Sequence, residues 1–244
     1  MTCRIAILGD FNPVYSTHHS LNDSVRQVVK KFNEDLQLDW IGTDTFNFKT
    51  AFSKLYSGLW VAPGSPYKDA ANVINTIKHA RENEIPTFGN CGGFQHMVIE
   101  FARNVCGITY ADHEEMNPDS GELVISKLAC SLKEQEEELT ITDTSSLLSQ
   151  ILKREKLIGR YYCNYGINEK YVDQLRSNGL SPTARSNDNS IRAFEIKSHP
   201  FFVGTLFQPA LTSTFLQPDP IITAFVEFCL KRKFSHKYAV HHRP

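Results

Sequence analysis

Apolar residues follow two rhythms along this chain, and the switch between them divides it. In the first half, short apolar runs alternate with stretches of helical spacing. Arg4 to Leu8 (RIAIL) predicts a buried strand closed by Gly9. Asn12 to His19 is polar and reads as a loop. Ser20 is the expected N-cap of a helix whose apolar positions are Leu21, Val25, Val28, Val29 and Phe32. Leu36 to Gly42 and Leu59 to Ala62 predict the second and third strands, the latter broken by Pro63-Gly64. Asp69 to Asn83 predicts a helix through Ala70, Val73, Ile74 and Ile77. Ile85 to Gly89 predicts a fourth strand, and Phe94, Met97, Val98, Phe101, Ala102 and Val105 a further helix closed by Gly107.

From about Ser120 the texture changes. GELVISKL, ELTIT, LIGRYYCNYGIN, IRAFEI and FFVGTLF predict strands separated by polar turns. The acidic run Glu134 to Glu138 reads as a solvated turn or hairpin edge. Asp219 is placed to cap a last helix carrying Ile222, Phe225, Val226, Cys229 and Leu230, with Lys231-Arg232-Lys233 at its carbonyl end. Strand–helix alternation with short connections implies a doubly wound, mostly parallel α/β sheet, to which the second half adds antiparallel strands. Ligands of such sheets sit at the carboxyl ends of the strands, where Pro63-Gly64 and Gly89 to Gly93 both fall. No repeat or linker interrupts 1–244, which reads as a single domain.

Composition narrows the functions. The 244 residues carry 26 basic and 27 acidic side chains, a net charge of −1, with no footprint for nucleic acid or an anionic membrane. No stretch approaches the roughly 20 apolar residues needed to span a bilayer, and the N-terminus lacks a signal-peptide layout. The six cysteines, Cys3, Cys91, Cys106, Cys130, Cys163 and Cys229, form no C-x-x-C pair, and the nine histidines show no metal spacing. Reduced thiols in a cytoplasmic protein, without a metal or organic cofactor, are the expectation. The terminal pair His241-His242 reads as solvated.

The sharpest local signal is Phe88 to His96, FGNCGGFQH. A strand, a tight turn at Cys91 and a helix make the form of a nucleophile elbow, with Gly89 and Gly93 small enough for strand and helix to approach closely. A cysteine at a helix N-terminus is more readily ionised, and the Gly92 amide can serve as an oxyanion donor. A buried structural cysteine beside a tight turn fits the same spacing.

The wider sequence resembles the class I glutamine amidotransferases, in particular the glutaminase domain of CTP synthase. IPTFGNCGGFQHMVIEFARNV is similar to that family's elbow and following helix. ADHEEMNPD resembles its acidic loop, RYYCNYGIN its tyrosine-containing strand, and HPFFVGTLFQPAL the segment that carries F-H-P-E-F in the family. The resemblance implies a flavodoxin-like core and a Cys-His-Glu triad that hydrolyses the side-chain amide of glutamine. It implies Cys91 as nucleophile, and Gly92 with the Gly64-Ser65 turn as oxyanion donors, Ser65 standing where the family has a glycine. It does not extend to a synthetase domain, so the expectation is a stand-alone chain that does not itself make CTP.

The resemblance also implies where the pattern breaks. Gln208 occupies the triad histidine position and Ala210 the triad glutamate position. Glutamine cannot exchange a proton near neutral pH, and alanine orients nothing. Of the substrate-binding positions, Gln95 matches and Glu115 falls where a carboxylate meets the substrate's α-ammonium, but Asn164 stands where an arginine would hold the α-carboxylate. The expected substrate is therefore a small amine-bearing amide, ester or thioester other than free glutamine. His113 with Glu114 are candidate substitutes for the missing acid–base pair, and His96 is a further one, although packing or solvent exposure suits it better. His199 reads as structural. Cys163 and Tyr162 lie on a strand that faces the pocket in the family, and a second thiol beside Cys91 would make a redox pair. Three readings follow: a cysteine-nucleophile hydrolase or acyl transferase, a non-catalytic binding or regulatory protein on the same fold, and an ammonia-supplying glutaminase subunit. Whether the chain forms a homodimer or binds a separate partner protein is left open.

Overall fold

The computed structural model describes residues 2–32, 35–45 and 52–241, with side chains to Lys233 in the last of these segments. In chain order the strands and helices are β1 (Cys3–Leu8), α1 (Ser16–Phe32), β2 (Leu36–Ile41), α2 (Phe52–Leu55), β3 (Gly58–Val61), α3 (Ala70–Glu82), β4 (Thr87–Asn90) and α4 (Gly92–Asn104). The second half continues with β5 (Asp112–His113), β6 (Leu123–Lys127), β7 (Glu136–Ile141), α5 (Leu147–Leu152), β8 (Lys156–Arg160), β9 (Tyr165–Ile167), α6 (Val172–Ser177), β10 (Leu180–Arg185), β11 (Ile191–Ile196), β12 (Phe202–Thr205) and α7 (Pro220–His241).

Among the described residues one sheet of nine strands runs β2-β1-β3-β4-β12-β11-β10-β7-β8. Its first five strands are parallel and the rest antiparallel, the mixed α/β architecture that the two rhythms predict. A second sheet pairs β5, β6 and β9. Alternation along β4 serves both faces of the main sheet. Phe88 packs towards α7, its ring 6.0 Å from Phe225, while a Cβ on Gly89 would lie 2.3 Å from Met97 Sδ of α4. Helix α4 lies between the main sheet, α3 and the small sheet, so every residue from Gly92 to Ala102 is buried. Its one buried carboxylate, Glu100, is held by a forked ion pair with Arg81 of α3 at 2.8 and 3.0 Å.

Several boundaries differ from the pattern. Helix α1 starts at Ser16 rather than after Ser20, because buried His18 takes part in the fold while carrying no apolar signal. LIGRYYCNYGIN is not one strand. β8 belongs to the large sheet and β9 to the small one, and the chain changes sheets across Tyr161 to Asn164. An apolar pattern cannot show such a switch, since the inward positions stay buried throughout. The acidic run is only partly a solvated edge. Glu136 and Glu138 pair with Arg160 and Lys156 on the exposed face, whereas Glu137 faces the other way and meets buried Arg192 at 2.9 Å. Asp219 does cap α7, accepting from Ile221 and Ile222, but Lys231-Arg232-Lys233 is not its end, since the helix continues to His241. The side chains of His241-His242 lie outside those described. No helix among the described residues is long and apolar enough to cross a membrane.

Candidate active site

The elbow is built by close backbone approach. Cys91 sits between β4 and α4 at φ 51°, ψ −113°, a left-handed conformation that side chains rarely adopt. Its amide donates to Thr205 O of β12 at 3.0 Å, which ties the turn to the sheet. A Cβ on Gly93 would lie 2.1 Å from the Val61 carbonyl oxygen, so no other residue fits beneath the turn. A Cβ on Gly92 would meet the Ser65 amide nitrogen at 2.9 Å. That proximity sets the Gly64-Ser65 turn against the head of α4.

The turn is itself fixed. Asn12 N–H donates to His18 Nδ1 at 3.0 Å, so the neutral ring carries its proton on Nε2 and donates it to Pro63 O, also at 3.0 Å. Burial holds the His18 pKa below its usual value. Tyr67 donates its hydroxyl to the Ala62 carbonyl. Neither His18 nor Tyr67 stood out in the sequence, where each is one polar residue in a loop or helix turn.

Cys91 opens on a cleft of about 470 Å³ that Gly64, Ser65, Gln95, Glu115, Asn164 and Gln208 also line. The Cys91 thiol is held below the ordinary thiol range. The largest cause is a hydrogen bond from Cys163, and the amides of Gly92 and Gly64 act in the same direction, while burial and the charge of Glu115 oppose them. Gln95 is locked in place. Its amide donates to Tyr165 O at 2.9 Å, and its Oε1 faces His113 Nε2 at 3.1 Å and the Ser65 hydroxyl at 3.4 Å. Burial raises the pKa of Glu115 at the cleft wall. Asn164 Oδ1 accepts from the Ser131 hydroxyl at 2.6 Å, which leaves its –NH₂ as the donor for a ligand.

Gln208 follows β12 and is almost fully buried. Its backbone is pinned to Arg160 O at 2.8 Å, while its Nε2 finds no acceptor among the described residues. Ala210 is buried in the 3-10 turn Pro209–Leu211 and does not line the cleft.

The three substitute acid–base residues do not line it either. His96 points back along its own helix, donating from Nδ1 to Gly92 O at 2.9 Å, and burial lowers its pKa to about 4. His113 accepts the Glu115 amide on Nδ1 at 3.1 Å, and burial brings it to about 3. Glu114 accepts the Lys127 amide at 2.6 Å. The expected substitute role does not fit this geometry: the two imidazoles are neutral packing groups and the carboxylate serves β6. The cleft also takes in residues the sequence reading did not single out, Tyr15 and Lys133 among them. They come from loops far apart in the chain, and no local spacing could have marked them.

Known proteins share this architecture. A family model described as Glutamine amidotransferase class-I matches residues 14–228. The CTP synthase of Sulfurisphaera tokodaii is 34% identical over 238 residues, covering 91% of this chain and 44% of that protein. The CTP synthase of Saccharolobus solfataricus is 30% identical over 242 residues, covering 92% and 44%. The chain thus spans less than half the length of these relatives. Among solved structures, the glutaminase domain of Trypanosoma brucei CTPS with bound acivicin superposes with a TM-score of 0.85 at 25% identity, covering 94% of both chains. This chain belongs to the class I glutamine amidotransferase family, as a domain related to the glutaminase part of CTP synthase.

Proposed function

We propose that this chain is a thiol-dependent hydrolase or acyl transferase in which Cys91 attacks the acyl carbon of a small amine-bearing amide, ester or thioester other than free glutamine. One observation carries the reading. Cys91 stands on a strained elbow with its sulfur hydrogen-bonded by the Gly92 and Gly64 amides, facing a cleft that also presents Glu115. Backbone donors already aimed at the sulfur are placed to receive the oxyanion that forms beside it. Glu115 supplies a negative group for an ammonium.

Asn164 and Gln208 set the other preferences. A neutral amide at position 164 donates a hydrogen bond to a neutral acceptor but leaves a carboxylate without a forked cationic partner. Lys133 at the cleft wall is an exposed, flexible point charge and does not replace that fork. Gln208 supplies an amide donor where acid–base chemistry needs a titratable group. The domain acts as one unit over 1–244. The substrate is small, and the chain works in the cytoplasm, where thiols are kept reduced.

A panel of γ-glutamyl amides, esters and thioesters, with and without a free α-carboxylate, tests the reading, with Cys91→Ala as control. The expected outcome is turnover of an ester or thioester lacking that carboxylate, abolished by Cys91→Ala. Free glutamine as the best substrate would overturn the specificity. Absence of any Cys91-dependent turnover would favour a binding protein on the same fold.

A further inference from the structure

The thiol of Cys91 needs a group that holds its charge and returns a proton to the departing fragment, and the imidazoles nearby are turned away. We propose that Cys163 is that proton partner, forming with Cys91 a two-thiol catalytic pair. The proposal rests on the reading of Cys91 as a nucleophile.

The geometry is a built one. Cys163 lies in the segment where the chain changes sheets, between β8 and β9, and lines the same cleft as Cys91. Both side chains are buried, each 7% exposed. The single S–H of Cys163 has two acceptors in reach: the Leu206 carbonyl oxygen at 3.6 Å and the Cys91 sulfur. A thiol is a weak donor to a carbonyl and a better one to a thiolate, so ionisation of Cys91 draws the proton across. Ionisation of Cys163 is correspondingly disfavoured, first by this hydrogen bond, then by burial and by the charge on Cys91. The pair holds one proton between two sulfurs. The charged or titratable groups around it are Glu115, Lys133, Tyr15, Tyr162 and Tyr165 at the cleft wall, Tyr67 near Cys91, and Arg192 and Tyr161 near Cys163.

The steps balance. Cys91 as thiolate attacks the acyl carbon, the carbon–sulfur bond forms and the bond to the leaving group breaks. The leaving group departs with the proton of Cys163, which becomes the thiolate. Acylation has removed the charge on Cys91, the repulsion that disfavoured this ionisation, so Cys163 is a stronger acid when its proton is needed. A water molecule then gives a proton to Cys163 and its hydroxide to the thioester. The carbon–sulfur bond breaks, the acid leaves, and Cys91 is again a thiolate beside a protonated Cys163.

The test is alkylation of Cys91 by limiting iodoacetamide from pH 5 to 10 under reducing conditions, read as adduct mass on the Cys91 peptide. The parent is compared with Cys163→Ala and with the near-isosteric Cys163→Ser, which keeps a hydroxyl donor and guards against misfolding of the alanine variant. The expected result is an apparent Cys91 pKa below the ordinary thiol value of about 8.5 in the parent. Cys163→Ala should raise it by about one unit, slowing labelling at pH 7 about tenfold, and Cys163→Ser should restore part of the shift. Cys163→Ala should also slow turnover of amides more than of thioesters, because the amine leaves only with a proton. A Cys91 profile that is the same in all three proteins overturns the proposal, as does equal slowing of amides and thioesters. A shifted profile without turnover of any acyl compound would retain the thiol pairing and reject the proposed function. Turnover with an unshifted profile would do the reverse.

Discussion

The two sides of the cleft are built by different means. The side that presents the nucleophile, formed by β4, the head of α4 and the Pro63–Ser65 turn, is a backbone construction. Gly89 and Gly93 permit contacts that no side chain would allow, and the amides of Gly92 and Gly64 need no particular residue to donate. The opposite side, formed by the sheet-changing segment Tyr161 to Asn164 and the turn after β12, works through side chains. Here the residues in place are Cys163, Asn164, Gln208 and, behind the wall, Ala210. A nucleophile elbow survives sequence change as long as its glycines stay, whereas proton transfer depends on what one or two side chains can titrate. On the reading proposed here, this chain keeps the first and has altered the second.

The sharpest way to break this contrast is to restore the second side. Gln208→His with Ala210→Glu and Asn164→Arg should raise Cys91-dependent ammonia release from free glutamine about 100- to 10,000-fold over the parent, the usual worth of acid–base assistance. No gain in a folded triple variant would mean that these positions do not serve the thiol. Changing the backbone side should instead cost stability. Gly93→Ala drives a methyl into the Val61 carbonyl, and denaturant unfolding should show a loss of about 3 kcal/mol or more. An alanine variant as stable as the parent would show that the elbow tolerates far more than close packing allows.

A third prediction concerns the histidines that pack the fold. Burial lowers the pKa of His96 and His199 to about 4 and that of His113 to about 3. Their unfolded pKa is about 6.5, so each neutral ring contributes stability that is complete above that value. The contribution is lost as pH falls from about 6.5 to about 4 for His96 and His199 and to about 3 for His113, because the unfolded chain binds the protons first. These rings lower the unfolding free energy over that window, against the opposite contribution of Asp219, whose burial raises its pKa to about 6, and His113→Gln should flatten the fall by roughly one proton. A slope left unchanged by His113→Gln would contradict this assignment. The smallest effect is expected at Gln208. Its buried Nε2 has no acceptor among the described residues, so Gln208→Met should stabilise the free protein by about 1 kcal/mol. Destabilisation there would show that the amide is already satisfied.

Much of the first side was legible in the chain. The helical spacing after Cys91, the flanking glycines and the apolar run before them carry the elbow without any tertiary information, because each is a local requirement. Asp219 caps its helix as the pattern predicts, and Asp69, where the helical pattern begins, caps α3. The second side was far less legible. RYYCNYGIN reads as one strand, yet its two halves join different sheets, and the break between them carries Cys163 into the cleft. His96 and His113 fit a catalytic role by position, but His113 is held on both ring nitrogens by Gln95 and the Glu115 amide, and His96 turns its Nδ1 back to its own helix and lies outside the cleft.

What the amino-acid order determined by itself is the strand–helix alternation, the strained turn and the thiol upon it, since these follow from sterics and periodicity within a few residues. Only the tertiary structure decided which side chains share the cleft. Cys91 and Cys163 are 72 positions apart in the chain, and their contact exists because β8 and β9 enter different sheets and turn the intervening residues toward the head of α4. Whether a thiol faces a proton partner or a wall is settled by that packing, because hydrogen bonds and charge interactions depend on distance in space and not on separation along the chain.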